Sequence, residues 1–296
     1  MTTNSYLPDL AEYPYQSRRF EIDSGHNLAY LDEGEGPAVV MVHGNPSWSY
    51  LYRNLVSGLR DRYRCIVPDH LGCGFSDKPA NYPYRLSNHI DNLEHLLEKL
   101  GVKRCILVVH DWGGAIGMGW AGRHPERIVG LVVLNTAAFR SPRIPLRIAL
   151  CRWPILGSLL VRGLNGFARA ATFMAVTRSM RPEIAKGFLA PYNSWRHRIA
   201  VLRFVEDIPM DAGHPSWTTL VAVESTLPLL QQFPMLLCWG GHDFCFNKTF
   251  YEEWRTRFPQ AEAHYFPDAG HYVLEDGLTE ILPLIDGFLA RTTSCD

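Results

Sequence analysis

Apolar runs rich in valine and isoleucine alternate along the chain with stretches of helical periodicity. "AVVMVH" at 38–43, "YRCIVPD" at 63–69, "CILVVH" at 105–110 and "IVGLVVLN" at 128–135 contain few polar positions, so each reads as a strand covered on both faces. Helices are predicted between them around 48–60, 86–100 and 113–124, and Gly101 can take the left-handed cap that stops the second. Ahead of these, "RRFEID" and "NLAYLDEG" alternate polar with apolar positions on either side of "SGH", which predicts a hairpin. After "LNTAAF" the rhythm changes. Residues from about 137 to 227 are helical, dense in Arg, Trp and Phe, and show no convincing strand. "MLLCWGGHD" then restores the strand pattern, a helix spans roughly 248–258, "AEAHYF" is a last strand and a helix closes the chain.

The pattern predicts an α/β class: a mostly parallel, eight-stranded sheet flanked by helices and interrupted by a helical cap. The expected divisions are 1–136 for the first part of the core, 137–227 for the cap and 228–296 for the second part of the core. Ligands of such sheets bind at the carboxyl ends of the strands, which the cap would roof. A length of 296 residues with 47% hydrophobic side chains suffices for one large core. The balance of 29 basic against 30 acidic side chains gives no global pull toward nucleic acid. The opening "MTTNSYLPDLAEYPYQSRRF" lacks the apolar run of a signal peptide, and Arg147 and Arg152 break the most apolar later stretch. Seven cysteines without a C-x-x-C pair read as free thiols in a reducing cytoplasm, with Cys295 the most exposed.

Four stretches at predicted strand ends carry candidate chemistry. "LVVHDWGGAI" places Asp111 at a strand-to-helix bend, with Gly113 two positions after it and the larger Val109 two positions before. Locally, Asp111 reads equally as a side chain presented by a strained elbow or as a helix cap. "MVHGNPSW" follows the third strand, where the backbone amide of Asn45, paired with that of Trp112, would form an oxyanion hole. Gly44 allows close backbone approach, and Pro46 fixes the chain entering the next helix. "CWGGHDFCF" puts Asp243 just past a strand, and "FPDAGHYVLED" puts His271 in a loop after the last one. Nucleophile, acid and histidine in that order match an α/β-hydrolase triad. "DHLGCGFSD" lacks the spacing and lysine of a phosphate loop, so Asp69 and His70 read as turn residues. No histidine pattern suggests a metal, and no cofactor motif is present.

With those motifs in view, the chain resembles the haloalkane dehalogenases of the α/β-hydrolase superfamily, through "HGNPSWSYLYRNL", "PDHLGCGFSDKP", "HDWGGAIGMGWA" and "DAGHYVLED". The resemblance implies Asp111 as nucleophile, His271 as base, Asp243 as its carboxylate partner, and Asn45 with Trp112 as halide-binding residues. Many relatives place the acid after the sixth strand; here Asn135 stands there and cannot carry the charge, which leaves the role to Asp243. Carboxylate attack on a saturated carbon would give an alkyl ester on Asp111, and His271 would activate the water that cleaves it. The implied partners are a small apolar halogenated substrate, water and a halide ion. The chain is also similar to the β-lactone decarboxylases of bacterial long-chain olefin synthesis, which share the aspartate nucleophile. Carbon–halogen hydrolysis is the first expectation and lactone decarboxylation the alternative. An epoxide hydrolase ranks lower, because Tyr192 is the only tyrosine of the insertion and a pair of roof tyrosines is missing. A non-catalytic receptor is the reading from a different class. From Ala137 to Pro182 eight arginines occur without an acidic residue, so an amphipathic roof, or contact with a membrane surface or a protein partner, is expected of this face. Oligomerisation stays open.

Overall fold

A computed structural model describes residues 9–294, and the Cys295 expectation and residues 1–8 of the opening segment lie outside them. Eight strands build one sheet: β1 Arg18–Glu21, β2 Asn27–Glu33, β3 Ala38–Val42, β4 Arg64–Pro68, β5 Cys105–Asp111, β6 Ile128–Thr136, β7 Met235–Gly240 and β8 Glu262–Phe266. They lie in the order β1-β2-β4-β3-β5-β6-β7-β8. The β1–β2 and β2–β4 pairs are antiparallel and every later pair is parallel, as the opening hairpin and the buried runs require.

Alternation along the strands divides the core between the two faces of the sheet. Ile106, Val108, Val132 and Leu134 face α1 (Arg53–Leu59) and the C-terminal helices. Leu107, Val109, Leu131 and Val133 face α2 (Leu86–Lys99) and α3 (Trp112–Arg123). The helix predicted around 48–60 begins instead as a 3₁₀ turn, Ser49–Tyr52, where Tyr50, Leu51 and Tyr52 are all packed into the core, and α1 starts only at Arg53.

Between β6 and β7 lie α4 (Leu146–Cys151), α5 (Pro154–Gly157), a π-helical turn at Ser158–Gly163, α6 (Gly166–Met174), α7 (Pro182–Leu189), α8 (Ile199–Glu206) and α9 (Trp217–Thr226). The last of these packs on α2 and α3 beside the sheet, so the roof proper is α4 to α8. After β7 come α10 (Lys248–Arg257), α11 (Val273–Asp276) and α12 (Leu278–Thr293). No helix of the described residues is long and apolar enough to cross a membrane.

The chain passes from β3 outward to β4 and then returns to β5 on the other side of β3. This reversal is the crevice where open α/β sheets bind ligands. It also brings the loop after β3 against the bend after β5, which positions the site.

The large residue at 109 is accommodated by a glycine elsewhere. A Cβ on Gly117 would approach the Val109 Cγ1 to 2.7 Å, so the bulk before the bend is absorbed in the first turns of α3. Gly117→Ala should cost about 1–3 kcal/mol of unfolding free energy by overpacking against stiff Val109. Val109→Ala in the same chain should recover part of that loss, and urea midpoints of the two single variants and the double variant measure the coupling.

Candidate active site

Asp111 ends β5 with φ 53° and ψ −127°, a conformation unusual for a residue with a Cβ. The tight corner is enforced by small neighbours. A Cβ on Gly113 would lie 2.0 Å from the Val42 carbonyl oxygen, and one on Gly44 would lie 2.0 Å from Asp111 Oδ1. The side chain does not cap α3. Instead Oδ1 accepts the Asn45 backbone N–H at 2.5 Å, and the Trp112 amide also favours its charged form. The elbow reading therefore holds over the helix-cap reading. Thr136 Oγ1 donates to the Asp111 carbonyl and fixes the corner from the β6 side.

His271 stands on the other side of the carboxylate. Its Nε2 is 3.7 Å from Asp111 Oδ2, and its Nδ1 is 2.7 Å from Asp243 Oδ2. Asp243 Oδ1 accepts the amides of Cys245 at 2.6 Å and Phe246 at 3.0 Å. Burial drives His271 toward neutrality, but the Asp243 charge, their hydrogen bond and Asp111 outweigh it and hold its pKa above the ordinary 6.5. Burial likewise pushes Asp243 up, yet His271 and the two amides leave its carboxyl below 3.8. For Asp111 burial wins, and its carboxyl is raised.

A cavity of about 400 Å³ opens above Asp111, Asn45, Trp112 and His271. Its other walls are mostly apolar and include Leu160, Phe167 and Met174 from the roof and Phe250 from α10. The Asn45 side chain commits one N–H to the Val201 carbonyl of α8 at 3.1 Å, which leaves one donor hydrogen. Tyr192 is fully buried, and its hydroxyl donates to the Ser47 carbonyl rather than lining the cavity. Asp69 and His70 are turn residues: Asp69 accepts the Ser49 and Phe75 amides, and the His70 amide donates to His43. No cluster of three or more potential metal ligands occurs among the described residues.

The alpha/beta hydrolase fold family matches residues 37–278. The chain belongs to this family. Among its relatives, a cis-3-alkyl-4-alkyloxetan-2-one decarboxylase of Shewanella oneidensis is 50% identical over 93% of this chain and 89% of its own length. Haloalkane dehalogenase 2 of Mycobacterium tuberculosis is 32% identical over 95% of this chain and 97% of its own. The crystal structure of a haloalkane dehalogenase from Bradyrhizobium elkani superposes with a TM-score of 0.86 at 25% identity, covering 95% of this chain and 99% of that one.

In this α/β-hydrolase fold, all five residues singled out from the sequence, Asn45, Asp111, Trp112, Asp243 and His271, surround one end of the cavity or support its wall. Three supports were missed. Asn135 donates from Nδ2 to Asp243 Oδ2 at 2.9 Å, while its own oxygen accepts the Gly240 amide at 2.7 Å. His110, burial-shifted to a pKa of about 3, contacts the His271 carbonyl through Nε2 at 2.9 Å. Asp276 accepts the amides of Gly270 at 2.8 Å and of Thr177 at 2.9 Å, tying the histidine loop to the cap. Only Asn135 left a sequence signal, a polar residue closing an otherwise apolar strand.

Asn135→Leu should remove a hydrogen bond to a charged group and lower stability by about 1.5–3 kcal/mol at pH 7, measured by urea unfolding. His271 binds its proton more tightly folded than unfolded. Its stabilising contribution is therefore complete below the ordinary 6.5 and fades as pH rises through the higher folded value. His271→Gln should flatten that part of the stability–pH curve.

Proposed function

We propose that this enzyme is a β-lactone decarboxylase that converts cis-3,4-dialkyl oxetan-2-ones to cis-alkenes and carbon dioxide, with Asp111 as nucleophile. The observation that carries this reading is the 50% identity to a decarboxylase of that substrate class over 93% of the chain, against 32% for a dehalogenase. The mostly apolar cavity of about 400 Å³, with the Asp111 carboxylate on its wall, suits a substrate that is largely alkyl with one polar ring.

The chemistry follows from a carboxylate with two different oxygens. Oδ1 is held by the Asn45 amide, so Oδ2 is the attacking atom. Its attack on ring carbon 4 breaks the carbon–oxygen bond, inverts that centre and releases the ring oxygen as a carboxylate. The new carboxylate then loses carbon dioxide. The electrons of its bond to carbon 3 form the double bond, and Asp111 departs with the electron pair of its ester bond. Inversion followed by anti elimination returns the cis geometry. No water enters and no net proton moves. The His271 imidazole, held by Asp243, and the donors of Trp112 and Asn45 stabilise the carboxylate that forms where Asp111 gave up its charge.

Carbon–halogen hydrolysis is the second reading, favoured by the placement of the Trp112 and Asn45 donors on the cavity wall, where a departing halide would be poorly solvated. In that case the tetrahedral oxyanion would form on Oδ1 against the Asn45 and Trp112 amides, and His271 would take a proton from water. Esterification removes the Asp111 charge, one of the influences that raise the His271 pKa, so the imidazole would shed its proton more readily and stand neutral when water is to be activated.

Incubation with a cis-dialkyl β-lactone should yield alkene with no β-hydroxy acid, and a single turnover in ¹⁸O-water should leave the Asp111 side chain unlabelled. A β-hydroxy acid product, or bromide release from a bromoalkane with label in Asp111, would reverse the order of the two readings. The acid limbs also differ. Alkene formation needs only ionised Asp111, so its rate should fall as pH drops through a value above the ordinary 3.8. Turnover of an ester also needs neutral His271, so bromide release should show a further acid limb, that of the imidazole in the ester intermediate, which alkene formation lacks.

A further inference from the structure

The roof helices are apolar on both of their faces. In α4, Ile148 and Cys151 line the cavity, while Leu146 and Leu150, one helical turn apart, face outward. In the π-helical turn Leu160 faces the cavity and Leu159 the exterior, and in α6 Met174 and Phe173 make the same division. The outward side chains are well exposed: Leu146 75%, Trp153 63%, Ile155 86%, Leu159 55%, Leu164 59% and Phe173 68%. Apart from Leu229, every exposed large hydrophobic side chain among the described residues falls between 146 and 195. A helix that is apolar all round is ordinarily covered on both sides.

The charge on the same face is of one sign. Eight arginines and no acidic residue occur from 137 to 182. Arg140 and Arg181 are paired with Glu224 and Glu12, outside that segment, whereas Arg152 and Arg169 make no ion pair among the described residues. The elements α4, α5, the π-helical turn and α6 pack on one another, so the leucines, Trp153 and these arginines share one outer layer. The Arg162 guanidinium lies 4.4 Å over the ring of Trp195, continuing the mixture of cation and apolar surface.

We infer that this outer face of the cap docks on an anionic lipid bilayer. Apolar side chains with interleaved arginines match the boundary between headgroups and acyl chains, where each cation near the surface gains about 1 kcal/mol. The cap is a partition one helix thick between the bilayer and the cavity. Arg143 and Arg147 of the same basic segment sit on the cavity wall. The basic segment thus borders both the outer face and the cavity that holds Asp111. The docking does not depend on which carbon electrophile Asp111 attacks.

The test is co-sedimentation of the full chain with vesicles of phosphatidylcholine alone or mixed with phosphatidylglycerol. Binding at least ten-fold tighter to the anionic vesicles, and weakened by salt, is expected. Arg152→Gln and Arg169→Gln, both outside the cavity, should each weaken binding about five-fold, from the surface gain of about 1 kcal/mol per cation. Trp153→Ser with Ile155→Ser should weaken it at least ten-fold with an unchanged circular dichroism spectrum. Equal binding to neutral and anionic vesicles, or no binding at low salt, would overturn the inference. So would a dimer that binds no vesicles and that Trp153→Ser with Ile155→Ser converts to monomer, since a second copy would then be what covers the face.

Discussion

A buried carboxylate standing at a left-handed corner of the main chain is the constraint on which the rest of this molecule turns. Positive φ at a residue with a Cβ costs on the order of 1–3 kcal/mol, and a charge away from water costs more unless it is matched. Both demands are met locally. Gly44 and Gly113 remove the atoms that would collide with the corner, and the Asn45 amide takes one carboxylate oxygen. The second oxygen faces His271 and the cavity. That division makes one oxygen the anchored acceptor and leaves the other available for bond formation.

The histidine is held with comparable care, by groups that come from far along the chain. Asp243 fixes its Nδ1, and Asn135, from the strand beside β7, fixes Asp243 in turn. His110 and Asp276 secure the loop backbone on either side. Below the loop, Arg53 of α1 forms a buried two-pronged pair with Glu275, at 2.5 and 2.9 Å, so the segment that carries His271 is braced from the sheet side as well as from the cap. The Asn135 amide thus bridges two strand ends, accepting the Gly240 N–H and donating to Asp243.

The cap shapes the chemistry in a different way. Val201 of α8 holds one N–H of the Asn45 amide, so a roof helix orients a donor on the floor of the cavity. The Ala175 carbonyl accepts the Tyr272 amide at 2.7 Å, which connects α6 directly to the residue after the histidine. Cap and histidine loop are therefore one packed unit. The lining of the cavity beside the Asp111 carboxylate is mostly apolar.

The sequence by itself determined the sheet, its hairpin, the helical interruption and the strand-end positions of Asp111, Asp243 and His271. Those features are written in local periodicity and in polar residues placed at strand ends. It also exposed the one-sided charge of the segment from 137 to 182. What it could not contain is who meets whom across the fold. The bracing of Asp243 by Asn135, the hold of α8 on Asn45 and the accommodation of Val109 by Gly117 join residues separated by 8 to 156 positions, and none has a spacing signature. Likewise the 3₁₀ start at Ser49 and the docking of α9 beside α2 and α3 were decided by packing, since helical periodicity says which face is apolar but not which neighbour covers it. The two-sided apolar character of the cap belongs to the same class: composition shows many leucines, and only the three-dimensional arrangement sorts them into those that face the cavity and those that face outward.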